Sequence, residues 1–546
     1  LQNNHKTNLN TLLISVSTMA KYKNMHLQGA ELIEFDSNFN QYLFKFNVPM
    51  KPNEQRQLSF DLTKHQTGYM ASQQDSFITN NFVYFRDLRY MPFLGYSKHN
   101  QLNNDQLREQ HGLAPLATPL TLSEDIAKHQ GDFSKHYSWA SVETIISTKQ
   151  SHLAIAPGEL VNQWLENNRR FFHYQTKHPI RYVVGIVSGE LTKSVRQTNG
   201  VSIEVYHTPS QKLHAQQHLQ AMVDTINYGN QHFGRYNAKQ LRLVATPSTV
   251  GLSGYALPQL MFIDEDRGFL TDLSNEYAFD HLYRRTAHEV AHQWWGHGVN
   301  GASTEGETML VETLAVYTQD QLLKQKYGAA YVNRLLEYEH DRYFNGRGRS
   351  AEQELPLYRG DENHLMYSKG NIAMNALAEK LGTGVVNQAL AQLVNNHSYP
   401  EKPATTLDFI GYLKHLADDE GDSFIEQQLM QVVINDWQIE SVKSTEVKQG
   451  FHTEVCLNNL GFELDKQGNK QNVPELAHVQ LVLFNEHPSQ VFDLEQTSDP
   501  MATNTISSTS ARCYILNTKN KPNFAAIDPY YLSLDINRAN NIVAIQ

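Results

Sequence analysis

"TAHEVAHQWWGHG", residues 286–298, sets two histidines four positions apart, with a glutamate directly after the first. It belongs to "DHLYRRTAHEVAHQWWG", residues 280–296, which reads as one helix ended by Gly296. Positions four apart on a helix lie one turn apart on the same face, so His288 and His292 project together. Two imidazoles so placed bind one zinc ion at about 2.0–2.1 Å each. Glu289 falls roughly 100° further round, beside the metal, where a base acting on a metal-activated water stands. His297 follows the glycine and reads as structural or solvated. With 25 histidines in the chain, a match of this kind also arises by chance, so the rest of the sequence has to decide.

A catalytic zinc needs a third protein ligand and an open fourth position. Downstream, "STEGETMLVETLAVYTQDQLLKQKYG", residues 303–328, reads as a second helix, with Thr304 and Glu307 as a capping box and Gly328 at its end. Glu312 sits two turns in, amid Met309, Leu310, Val311, Leu314 and Ala315, and a carboxylate in that setting wants a partner. Glu305 and Glu307 are rivals, but in a polar first turn they read as capping groups. In "HLMYSKGNIAMNALAEKLG", residues 364–382, Tyr367 precedes a Lys-Gly step into an amphipathic helix. Its phenol is placed to donate a hydrogen bond to an oxyanion, although a lone tyrosine is more often a core or rim residue.

Working outward, residues 1–208 read mainly as strands: "HLQGAELIEF" (26–35), "QYLFKFNVPM" (41–50), "NFVYFRDL" (81–88) and "IRYVVGIVSGEL" (180–191). After Pro209, a plausible helix entry, Leu213, Leu219, Met222 and Ile226 recur at helical spacing. Strands follow at "LRLVATPS" (241–248) and "QLMFID" (259–264). Residues 276–437 read as helical, with ends at Gly296, Gly328 and Gly382. Beyond about 439 strands return, in "FHTEVCLNN", "AHVQLVLFN", "ARCYILNT" and "YYLSLDI". The order β, mixed and helical, β defines an α+β multidomain chain with units at 1–208, 209–438 and 439–546.

The 546 residues exceed one core, and 40% hydrophobic content suits a globular fold. A net charge of −11 argues against nucleic acid as a partner. The two cysteines, Cys456 and Cys513, form no CxxC pair, which excludes a cysteine-based zinc site. They sit in strand-like runs that suit either one bridged pair or two buried thiols. No apolar run approaches the ~18–20 residues of a membrane span. The first residue is Leu1 rather than Met, which reads as a piece of a longer parent.

"HEVAHQWWG", "VETLAVY" and "YSKG" together resemble the zinc aminopeptidases of the aminopeptidase N and leukotriene hydrolase family, a branch of the gluzincins. Ala315 and Tyr317 match the block around Glu312, and Lys369 and Gly370 the block around Tyr367. The resemblance implies one Zn²⁺ per chain on His288, His292 and Glu312, Glu289 as general base and Tyr367 as transition-state stabiliser. It also implies an N-terminal β-sheet domain, a thermolysin-like catalytic domain and a C-terminal β-sandwich-like domain. More narrowly, "GYALPQLMFID", "MYSKGNIAMNAL", "NNFVYFRDLRYMPFLGY" and "IDPYYLSLDINRANN" are similar to the extracytoplasmic peptidase region of bacterial ABC-transporter permease–aminopeptidase fusions. That likeness implies a periplasmic site tethered to the inner membrane, with permease segments of the same parent as partners.

Two departures stand out. Nineteen residues separate His292 from Glu312, one more than the aminopeptidase pattern, and an extra loop residue would absorb the difference. The family's GxMEN strand holds a substrate's amino terminus, but here Pro258 and Gln259 stand where its Glu and Asn would. Ala256 and Gln259 are the substrate-binding candidates of this stretch: Gln259 accepts from an ammonium without bringing charge, and the strand backbone pairs with an extended peptide. The leading expectation is zinc-dependent removal of N-terminal residues from peptides. Its rivals are a thermolysin-like endopeptidase and a peptide- or partner-binding domain with little peptidase activity.

Overall fold

The computed structural model describes residues 1–66, 76–86, 90–95, 102, 104–115, 121–124, 139–251, 253–272, 274, 279–299, 301–302, 304–350, 353–465, 467–472, 476–488, 500–508 and 512–546. N-terminal β-sheets lead into a helical middle and then into C-terminal β-sheets, an α+β architecture. The chain forms two compact units, one of Leu1–Leu120, Trp139–Thr192 and Thr246–Leu252, the other holding the remainder.

The first unit is built from small antiparallel sheets. One has the order Ala30–Asp36, Gln41–Met50, Leu9–Ser15, Phe93–Leu94, and a core of Ile14, Leu27, Phe44 and Phe46 forms beside it. "HLQGAELIEF" is not one strand. Lys21–Leu27 and Ala30–Asp36 are separate, with Gly29 between them at φ 68°, a value glycine adopts without a Cβ penalty. The strand expected over 81–88 runs Phe82–Arg86, and its last two positions lie outside the described residues.

The second unit opens with a five-stranded sheet: β1 (Thr192–Thr198), β2 (Val201–His207), β3 (Gln240–Thr246), β4 (Tyr255–Leu257) and β5 (Leu260–Asp264), ordered β1-β2-β3-β5-β4. Parallel β2 and β3 are joined by helix α1 (Lys212–His232), as parallel pairing requires a crossover. Leu219, Met222 and Ile226 of α1 are fully buried, but Leu213 is exposed and lies off the packed face. β3 is buried along its whole length, and its one charge, Arg242, is answered by Glu204 of β2 at 2.9 Å.

Helix α2 (His281–Ala291) starts at Asp280, whose side chain accepts from the Tyr283 N–H, and stops sooner than expected. Gly296, at φ 107°, closes the irregular turn that follows it. Both tryptophans of the turn are anchored: Trp294 Nε1 donates to Gly234 O at 2.9 Å and Trp295 Nε1 to Thr318 Oγ1 at 2.8 Å. α3 (Leu314–Tyr327), α4 (Ala329–Arg347), α5 (Gly370–Leu381), α6 (Thr383–His397), α7 (Thr406–Leu416) and α8 (Asp419–Ile425) follow. Gly328 and Gly382 end helices as expected, both at φ 87°.

The Thr304–Glu307 capping box does not form, because the Thr304 hydroxyl is directed at the carbonyls of Ala302 and Glu305. Glu305 instead makes a two-pronged ion pair with Arg359 at 2.9 Å. The second helix begins with a π turn, Met309–Thr313, before α3. A second π turn, His364–Lys369, precedes α5.

C-terminal sheets follow the order Trp437–Val447, Gly450–Asn459, Cys513–Thr518 and the order Ala502–Ser508, Leu476–Phe484, Phe524–Ile527, Ile542–Ala544. Cys456 and Cys513 face each other on paired strands and are joined as a disulfide. "YYLSLDI" is irregular rather than a strand. The Asp528 carboxylate takes the Leu532 and Ser533 N–H groups that a ladder would have used, and Tyr531 sits at φ 58°. Among the described residues no helix is long and apolar enough to cross a membrane.

One buried group makes stability depend on pH. His218 of α1 is fully buried, with Nε2 at 3.0 Å from Gly268 O and Nδ1 at 2.6 Å from Thr286 Oγ1. Burial pushes its pKa down from 6.5 to about 3. The unfolded chain therefore binds a proton that the folded chain refuses, so this contribution is complete above pH 6.5 and is lost as pH falls toward 3. At pH 5 the loss is about 2 kcal/mol. Denaturant titrations at pH 7.5 and pH 5 should show a drop that shrinks by about that amount in His218→Gln; an equal drop in both proteins would contradict the assignment.

Candidate metal centre

The two histidines are presented by the end of α2. His288 lies in its last turn, and His292 occupies the capping position. His292 Nδ1 is 3.0 Å from the Trp295 carbonyl, which can only accept, so Nδ1 carries the proton and Nε2 offers a lone pair. The tight turn after α2, pinned by the buried Trp295, thereby sets the ligand's tautomer as well as its direction.

Glu312 arrives from the first π turn. Its Oε2 lies 3.3 Å from His288 Nε2 and 3.5 Å from His292 Nε2, and the two Nε2 atoms are 3.2 Å apart. Three donors on a tetrahedral ion with bonds of about 2.0–2.1 Å would be roughly 3.3–3.4 Å from one another, so the triangle has the size zinc requires. Glu312 Oε2 is buried and takes no hydrogen bond. Against burial, Glu312 holds the His292 imidazole up to about 9, and a divalent cation at the centre of the three donors would take the place of that proton. The site fits a divalent metal on chemistry as well as on distance, and His288, His292 and Glu312 form the metal-competent group found among the described residues. Glu312 lies within the π turn Met309–Thr313, which widens the helix there by one residue per turn.

The local electrostatics separate the two carboxylates. Burial pushes Glu312 up, but the two imidazoles outweigh it and hold its carboxyl well below the usual range. Burial raises Glu289 to about 7, assisted by Glu312 and opposed by His292 and Arg285. Glu289 is thus a carboxylate poised to hold or release a proton near neutrality, as a general base requires. It rests against Gly254: a Cβ there would stand 2.3 Å from Glu289 Oε1 and 3.2 Å from Arg285 Cδ. Gly254→Ala should therefore displace the Glu289 carboxylate. The expected result is a loss of turnover of roughly 10–100-fold with metal content unchanged, checked by steady-state assay beside metal analysis; unchanged turnover would remove Glu289's seat from the account.

Tyr367 comes from the second π turn. Its phenol interacts with Glu312 and its ring centroid is 6.2 Å from that of His288. Burial, then Glu312, push the phenol above its ordinary pKa, which keeps it a proton donor. The turn is held from behind by Lys369, whose ammonium is buried in an ion pair with Glu354 at 2.8 Å, while the Tyr343 hydroxyl and Arg347 bind the same carboxylate.

The structure brings together His288, Glu289, His292, Glu312 and Tyr367. Ala256 and Gln259 lie on the strand and turn that follow Gly254, the residue that abuts Glu289. Gln259 occupies the turn between β4 and β5 at φ 65°; its Oε1 accepts from Gln240 at 2.7 Å and its N–H donates to Gln293. The Ala256 carbonyl accepts from His297 Nε2 at 3.1 Å, which gives His297 a structural role. Gly254, Glu354 and Arg342, whose guanidinium lies 5.4 Å from the Tyr367 ring centroid, were not singled out from the sequence. Gly254 lies in the quoted "GYALPQLMFID", but only the packed structure shows which side chain needs it small.

A helix-borne His-x-x-x-His pair, a glutamate from a second helix and a tyrosine from a third define a metallopeptidase type of centre. Residues 217–437 match the model of the Peptidase family M1 domain. The chain is 28% identical over 163 residues to Aminopeptidase RNPEPL1 of Homo sapiens, covering 30% of this chain and 21% of the relative. The Mus musculus protein of that name gives the same identity and coverage. Aminopeptidase N of Acetobacter pasteurianus is 27% identical over 126 residues, covering 21% of this chain and 33% of the relative. The chain thus spans only a fifth to a third of the length of these curated relatives.

Proposed function

We propose that this chain is a zinc peptidase that removes N-terminal residues from peptides. The observation that carries the reading is the His288–His292–Glu312 triangle with Glu289 beside it, since a purely structural metal site has no use for a base. A zinc ion bound there supplies a Lewis acid that lowers the pKa of a water and polarises a carbonyl. Glu289 takes the proton from the attacking water and delivers it to the leaving amine. Tyr367 donates a hydrogen bond to the oxyanion, and His292 is held in its ligating tautomer by Trp295. The family of residues 217–437 and its aminopeptidase relatives support peptides as the substrate class.

An endopeptidase is the second reading, favoured by one observation. The turn at Pro258–Gln259 presents no carboxylate for an amino terminus, and the Gln259 side chain is engaged by Gln240. Free and N-acetylated forms of the same peptides separate the two: cleavage confined to free termini supports the aminopeptidase, and internal cuts in acetylated peptides support the endopeptidase. We also propose an extracytoplasmic location, supported by the Cys456–Cys513 disulfide, which persists in oxidising compartments. Tethering to permease segments of one parent, and a division at 1–208, 209–438 and 439–546, belong to the same proposal and rest on the sequence resemblance.

A further inference from the structure

The wall of the site beside Tyr367 carries an arrangement that the peptidase reading does not use. Glu339 of α4, 1% exposed, is shared by three donors: Arg284 Nη2 at 2.9 Å, Ser368 Oγ at 2.7 Å and Arg342 Nη1 at 3.3 Å. Two guanidinium groups therefore meet one carboxylate. Asp320 also feels Arg284, and burial raises its carboxyl above the ordinary range. Asp341 is solvent-facing at 78% exposure. Arg284 is the enclosed member of the pair, with 18% of its side chain exposed, whereas Arg342 has 39% exposed. Arg342 is thus the more accessible guanidinium, and it lies over the face of the Tyr367 ring at 5.4 Å. Glu339 fixes one Nη of that guanidinium, and an arginine oriented this way offers its other N–H groups as a fork suited to a carboxylate.

We propose that Arg342 binds a carboxylate of the substrate, so that the site selects anionic peptides. This rests on the peptidase reading for the identity of the ligand, but binding is measurable without turnover. The carboxylate has two sources, an acidic side chain near the scissile bond or the free C-terminus of a short peptide. Arg342 is a specificity residue in this account and takes no part in proton transfer.

The test uses the zinc-loaded full chain carrying Glu289→Gln, with and without Arg342→Gln or Arg342→Lys, in titration calorimetry. One pair of probes is a tripeptide and its C-terminal amide; the other is an amidated tripeptide containing Glu and its Gln counterpart. The carboxylate member of at least one pair should bind about tenfold or more tightly than its amide, as one charge-assisted hydrogen bond allows. Arg342→Gln should abolish that preference while changing affinity for the neutral member less than about threefold, and Arg342→Lys should restore part of it. Which pair discriminates identifies the source of the carboxylate. Equal weakening for charged and neutral probes would mean that Arg342 only supports Tyr367, and would overturn the proposal. So would the absence of any preference, or of any binding. In the Glu289-containing enzyme, a carboxylate preference with no hydrolysis would leave this proposal standing and refute the peptidase reading instead.

Discussion

Glu289→Gln should lower turnover by roughly 10³-fold, within the range for loss of a general base, while leaving zinc content at one ion per chain. The substitution keeps the shape of the side chain, so it fits the same space against Gly254. It removes only the ability to accept a proton. Glu289 is not among the three converging ligand atoms, so the metal should stay. Stability should not suffer either, because burial already disfavours the charged form and a neutral amide escapes that cost. Kinetic assay, metal analysis and a melting curve on the same preparation make the comparison. Retained turnover would remove the base from the mechanism, and loss of zinc would make Glu289 a ligand.

Glu312→Ala should act on the metal itself. It deletes the anionic ligand and leaves the two imidazoles facing each other with their Nε2 atoms 3.2 Å apart. Partners outside the first coordination sphere already change metal affinity about 10–100-fold, so removal of a ligand should exceed that range. Turnover should fall with zinc occupancy rather than independently of it. A stability signature should accompany the loss. Metal that binds only the folded chain raises its stability by mass action, so a chelator should lower the melting temperature of wild type and leave Glu312→Ala unmoved. Wild-type zinc affinity in the variant would mean that the third ligand lies elsewhere.

The helical signals in the sequence were strong because they repeat. His288 and His292 one turn apart, the apolar run around Glu312, and glycines at 328 and 382 all survive as local features of the folded chain. Features that depend on partners distant in sequence were not legible. The π turns under Glu312 and Tyr367 carry no residue signature, since they arise from how those segments dock rather than from propensity. Glu354 sits in an irregular stretch, and nothing local marks it as the partner of Lys369. "YYLSLDI" has the composition of a strand, but the Asp528 carboxylate claims its backbone first. Gln259 shows the same limit at the site. Its amide oxygen accepts from Gln240, a partner on the neighbouring strand that nothing local announces.

The most direct test of the central claim is mass spectrometry of a mixed peptide library incubated with the zinc-loaded chain, with the same chain plus chelator, and with Glu289→Gln. The account predicts that single N-terminal residues disappear from peptides only in the first sample. Full zinc occupancy with no cleavage, or equal cleavage by Glu289→Gln, would contradict it.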